Sequence, residues 1–81
     1  MDVQHNRIKF SYDRESDVLY SYIDKPRPAF GEEEESGIII RYDMTTNEIV
    51  GFTIINYSRR FHRDMTIPHF PGLALPTPES I

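Results

Sequence analysis

Three carboxylates on alternate positions, Asp13, Glu15 and Asp17, are the first residues of this chain whose type and spacing could hold a metal ion, and Asp24 stands at the twelfth position counted from Asp13. That is the ligand rhythm of a calcium loop. The sixth position, however, is Val18 rather than the glycine such a loop needs for its sharp turn, and a β-branched and aromatic run begins there. A turn is the favoured reading, with Asp13 and Asp17 accepting hydrogen bonds from nearby backbone amides. A metal or small-ligand site using Asp13, Glu15 and Asp17, or the tyrosines Tyr12, Tyr20, Tyr22 and Tyr42, is the alternative. No cofactor is expected.

The histidines His5, His62 and His69 show no ligand spacing, and Pro68 between the last two prevents one helix from presenting both. They are expected to be ordinary surface residues. There is no cysteine, no serine in a Gly-x-Ser-x-Gly elbow and no glycine-rich loop, since the glycines at 31, 37, 51 and 72 stand singly. The chain is therefore expected not to be an enzyme, and a hydrolase is the least favoured class.

Arg59, Arg60 and Arg63, with Phe61 and His62, form a basic cluster able to grip phosphate or an acidic surface. The same arginines could instead answer Glu32, Glu33, Glu34 and Glu35, within the chain or across a dimer, and that use is favoured. A net charge of −4, from 13 acidic and 9 basic residues, opposes nucleic-acid binding because the duplex backbone repels an anionic surface. A basic protein partner for the glutamates suits the charge better. The tail holds Phe70, Leu73 and Leu75 among four prolines. These apolar residues either cover the chain's own sheet or a second subunit's, the favoured use, or serve as a docking peptide.

The elements that must position these groups follow from periodicity. Ile8 to Tyr12 alternates apolar and polar residues, and Val18 to Ile23 resumes after the five polar residues Asp13 to Asp17, which makes a hairpin. Prolines 26 and 28 make Asp24 to Gly31 a loop. Part of Glu32 to Glu35 is expected as an edge strand, where like charges discourage foreign pairing. Ile38 to Tyr42, the turn Asp43 to Glu48 and Ile49 to Ile55 form a second hairpin. In its last strand Val50, Phe52 and Ile54 are expected on one face, and Ile49, Gly51, Thr53 and Ile55 on the other. Both faces are partly apolar, so the strand is expected to be central with a layer or a partner subunit over it. After Ser58, a plausible N-cap, one or two helical turns fit before the extended tail.

The order of a Tyr12-Asp13 turn entering the Leu19-Tyr20 strand, then a Tyr42-Asp43 turn entering the Val50-Gly51 strand that ends near Ser58, resembles the DUF2283 family over about residues 8 to 58. The resemblance implies a small antiparallel β fold and carries no established activity. It also implies, through the toxin-like small proteins beside which such domains can be encoded, an antitoxin-like inhibitor with Glu32 to Glu35 on its acidic face. Two features depart from the pattern: the prolines after Ile23, and Thr45-Thr46-Asn47 where such proteins often place glycine.

A chain of 81 residues buries only about 60% of its unfolded surface, and without cysteine no disulfide can supplement the core. Self-association is the common remedy, so a homodimer is expected. The first residues lack the apolar stretch of a signal peptide and no run is long enough to span a bilayer, which makes a cytoplasmic location the expectation. The reading is a mainly β domain, residues 1–64, an antiparallel meander of four to five strands in two hairpins, followed by a Pro-rich tail, residues 65–81. Its expected role is a noncatalytic protein-interaction or regulatory module, with Glu32 to Glu35, Arg59, Arg60, Arg63, Phe70, Leu73 and Leu75 as the contact residues.

Overall fold

The computed structural model describes residues 7–81; His5 and the amino-terminal segment lie outside them. Five strands form one antiparallel sheet: β1 (Ile8–Asp13), β2 (Val18–Ile23), β3 (Ala29–Glu35), β4 (Ile38–Asp43) and β5 (Ile49–Ile55). A single helical turn, α1 (Tyr57–Arg60), and a 3-10 turn at Pro78–Ser80 follow. The fold is mainly β, as the periodicity predicts.

The sheet order is β1-β2-β5-β4-β3. After β2 the chain must therefore cross to the far edge, past two strand positions later filled by β5 and β4. That span is about 14 Å at the usual strand spacing. The five residues 24–28 reach about 17 Å when extended, and Pro26 and Pro28 hold them so. The expected loop ends at 28 rather than 31, because Ala29 already pairs with Asp43, and all four glutamates lie in the edge strand. β4 and β5 then run back until β5 pairs with β2, Leu19 opposite Ile54. β5 is central, as expected.

Alternation divides the residues between two faces. Phe10, Leu19, Ile38, Ile40, Phe52 and Ile54 share one face, where the last five are at most 5% exposed. The tail covers it: Ile67 and Phe70 are buried in the same core, and Phe61, Met65, Leu73, Leu75 and Ile81 pack against it. The Phe70 ring meets Phe52 edge-on at 5.0 Å between centroids, and Phe10 meets it edge-on at 6.5 Å. Tyr57 is fully buried and donates its hydroxyl to the Pro76 carbonyl at 2.5 Å.

Two local expectations are corrected. A register shift where β4 meets β5 pairs Tyr42 with Ile49 and Arg41 with Gly51, so Ile49 joins the covered face and Val50 the opposite one. Val50 is the extra residue of the bulge, and beside it stands Gly51, where a Cβ would lie 2.1 Å from the Ser21 carbonyl oxygen and no other residue fits. The helical turn begins at Tyr57 with Asn56 in the N-cap position, in a left-handed conformation at φ 59°. Ser58 is not its cap. The Ser58 amide is instead satisfied by the Asp17 carboxylate, which reaches the helix from the first hairpin.

Candidate functional site

Both Tyr-Asp corners use the same device. Asp13 accepts the amides of Glu15 and Ser16 at 3.1 and 3.4 Å, and Asp43 those of Thr45 and Thr46 at 2.7 and 2.9 Å. Those amides hold the Asp43 carboxyl below the ordinary carboxylate range. Asp17 departs from the expected local bonding: it accepts the Tyr12 hydroxyl at 2.5 Å, the Ser58 amide at 2.9 Å and the Ser58 hydroxyl at 2.8 Å. Its carboxyl is also held low, first by Tyr12 and then by Ser58. Asp13 and Asp17 are thus committed to different partners, and among the described residues no three His, Cys, Asp or Glu side chains converge as a metal site. Nor do the tyrosines share a site. Tyr12 and Tyr42 pack against the core, whereas Tyr20 and Tyr22 lie on the opposite face.

The glutamate run is divided by internal work. Glu33 accepts the Gly37 amide at 2.8 Å, and Glu34, at a bulge in β3, accepts the Tyr42 hydroxyl and meets His69 Nε2 at 2.7 Å. Tyr42 first and His69 second hold the Glu34 carboxyl low. Glu32 and Glu35 remain exposed. Arg60 donates to the Ile55 carbonyl at 2.8 Å, and its guanidinium lies where a Cβ on Gly37 would sit. Arg59 and Arg63 are exposed, and no ion pair joins the arginine cluster to Glu32–Glu35 among the described residues. Phe70 is buried, and Leu73 and Leu75 are half-buried against the core. Their apolar surface is spent on this chain.

His69 differs from expectation, since it stands beside a carboxylate at a left-handed corner, φ 72°. It borders a cleft of about 490 Å³ whose wall carries Arg7, Lys25 and Arg27 over Ile23, Ile49 and Phe70. The cleft's charges are largely answered: Arg7 pairs with Asp24 at 2.7 Å, and Arg27 approaches Asp43 and Glu48 at 3.4 and 3.5 Å. No serine or threonine lines it among the described residues, and the one hydroxyl at the His69–Glu34 pair, that of Tyr42, donates to the Glu34 carboxylate, which makes it harder to deprotonate.

The second face of the sheet has no covering segment among the described residues. Val18, Tyr20 and Tyr22 of β2 lie beside Thr53, Ile55 and the bulged Val50 of β5, with Ile39 and Arg41 of β4 next to them. Tyr20 is 44% and Ile55 38% exposed, while Val50 and Thr53 are nearly buried between neighbouring side chains. A depression of about 350 Å³ runs through it, bordered by Tyr20, Tyr22, Pro26, Arg27 and Arg41. Sequence reasoning marked β5 as apolar on both faces, but the surface it shares with β2 and β4 depends on the strand order, which no local pattern encodes.

No helix among the described residues is long and apolar enough to cross a membrane. No curated protein and no solved structure matches the chain. One family model does, described as a protein of unknown function (DUF2283), and it matches residues 9–58, from the second residue of β1 to the second of α1. With more than half its length matched and both Tyr-Asp corners inside the match, the chain belongs to the DUF2283 family.

Proposed function

We propose that the chain is a noncatalytic protein-interaction module whose working surface is the uncovered sheet face. The observation that carries this reading is the contrast between Tyr20 and Ile55, large apolar residues left 44% and 38% exposed on the inner strands β2 and β5, and Leu19, Phe52 and Ile54 of the same two strands, which have no exposed surface on the opposite face. Aromatic and aliphatic side chains held on a rigid sheet lose little conformational freedom on binding, which suits them to be anchors. The reading against catalysis is supported by the His69–Glu34 pair, whose carboxylate meets the imidazole but whose neighbouring hydroxyl, Tyr42, donates to that carboxylate and is held protonated by it. With Glu33 and Glu34 engaged internally, the acidic edge supports a basic partner less well than the four glutamates alone suggested.

The test is side-chain footprinting by hydroxyl radicals in lysate of the source cells and with the purified protein diluted to nanomolar concentration. Tyr20, Tyr22 and Ile55 are expected to be protected in lysate. Equal labelling of these residues under both conditions would overturn the reading.

A further inference from the structure

We propose that the partner of the uncovered face is a second copy of this chain, packed face to face about a two-fold axis that lies in the interface and runs across the strands. The proposal rests on the module reading above and names its occupant. Three observations carry it: the size of the face, its thickness on one side only, and the placement of its charges.

Strands about 4.8 Å apart with residues rising about 3.3 Å give five strands of six or seven residues a plane of about 24 by 20 Å, or about 480 Å² before side-chain relief. Two such planes bury about 960 Å² as flat areas, just under the roughly 1,000 Å² that a specific interface should clear, and the relief of the side chains has to supply the rest. The molecule's shortest extent is 20 Å. One sheet and one covering layer about 10 Å away account for that extent, so among the described residues the tail supplies a single cover and the other face is left for a second sheet at the same spacing.

The charges choose the axis. On the uncovered face Lys9 of β1 and Arg41 of β4 lie at one end of the strands, level with Tyr22 and Gly51, whereas Asp13 lies at the other end, level with Val18 and Ile55. A two-fold axis parallel to the strands would set like ends together and bring Arg41 of one copy beside Lys9 of the other. An axis across the strands reverses the ends, so that Lys9 of each copy faces Asp13 of the other. Tyr20, Thr53, Ile39 and, at the β3 edge, Glu33, which share the middle row through the registers Tyr20 with Thr53, Ile39 with Thr53 and Glu33 with Ile39, then lie near the axis and face their own equivalents. The Glu33 contact, at the rim and with each carboxylate accepting its own Gly37 amide, is the one like-charge contact set against two Lys9–Asp13 pairs. Tyr22 packs over the second copy's Val18, which matches aromatic to aliphatic surface.

Sedimentation velocity on the purified chain is expected to give twice the mass of 9.5 kDa at micromolar concentration. Tyr20→Lys is expected to give a monomer with an unchanged circular-dichroism spectrum, and Ile55→Lys provides the same test should Tyr20→Lys fail to fold. Lys9→Glu is expected to weaken association at least tenfold, and Asp13→Asn, which keeps an acceptor for the turn amides, to recover part of that loss in the Lys9→Glu background. Because the chain has no cysteine, Ile39→Cys with a short bis-maleimide reports the axis, with covalent dimers expected only when Ile39 faces its own equivalent. A monomer at 100 µM, or a dimer that Tyr20→Lys leaves intact, would overturn the second-copy proposal. A dimer without the Ile39 crosslink would overturn the axis. A monomer whose Tyr20 is still protected in lysate would leave the module reading standing with a different protein as occupant, whereas a monomer without that protection would remove both.

Discussion

Phe52 and Thr53 are consecutive residues of the central strand, and they live in different environments. Phe52 has no exposed surface and meets both Phe10 and Phe70 edge-on, the second supplied by a tail that returns across the sheet. Thr53 is nearly buried only by neighbours on its own face, between Tyr20 and Ile39, and nothing among the described residues lies above it as a layer. One backbone thus serves two purposes: side chains on one face hold the domain together, and those on the other are held ready. Stability should therefore respond to the first face and association to the second.

The strongest test of that division is Phe52→Ala, which opens a cavity in the covered face and should lower the free energy of unfolding by about 3–5 kcal/mol. For a domain of this size, that is enough to unfold much of the population at 37 °C. Thr53→Ala, measured beside it by urea denaturation at nanomolar concentration, should change stability far less. Equal losses from the two would show that the faces are not functionally separate. A smaller effect is expected from Tyr57→Phe, which removes the hydroxyl donated to the Pro76 carbonyl and leaves that acceptor unpaired. The cost is about 1–2 kcal/mol, and hydrogen exchange should become faster across the tail and not at Tyr20.

The third test is acid. Asp17 and Glu34 tie the covering segments to the hairpins, and both are held below their ordinary values of 3.8 and 4.5 by partners that exist only in the folded chain. The unfolded chain therefore takes up protons first as the pH falls. Their contribution is present above those ordinary values and is lost as the pH drops through the folded values. The melting temperature should be flat near neutrality and fall below about pH 4. Asp17→Asn should reduce that fall, and an unchanged acid profile would show that the carboxylate does not tie helix to hairpin.

Local pattern made the strands legible. The alternation from Ile8 to Tyr12 predicts β1 with Phe10 inward, and of the two carboxylates expected to bond nearby amides Asp13 does so, whereas Asp17 reaches across to Ser58. What escaped was non-local. Val50 changed faces because it is the extra residue of a bulge against β4, next to Gly51, which the Ser21 backbone of β2 approaches closely. The bonds of Asp17 to Ser58 and of Glu34 to His69 join residues far apart in the chain. The tail has no period, so its prolines announced an extended path without saying where Phe70 would land.

The strand order has a consequence for how this chain reaches its folded state. Each hairpin closes across a connection of at most five residues, whereas the pairing of β2 with β5 must wait until β3 and β4 have been threaded between them in sequence. The amide of Tyr57 to the Asp17 carbonyl, at 2.9 Å, extends that same seam beyond the end of β5. Loop closure makes such a contact the slow one. The molecule is two quickly formed pieces and one late seam, and Tyr20 and Thr53, facing each other across the middle of that seam, come together as one surface only when the seam has closed.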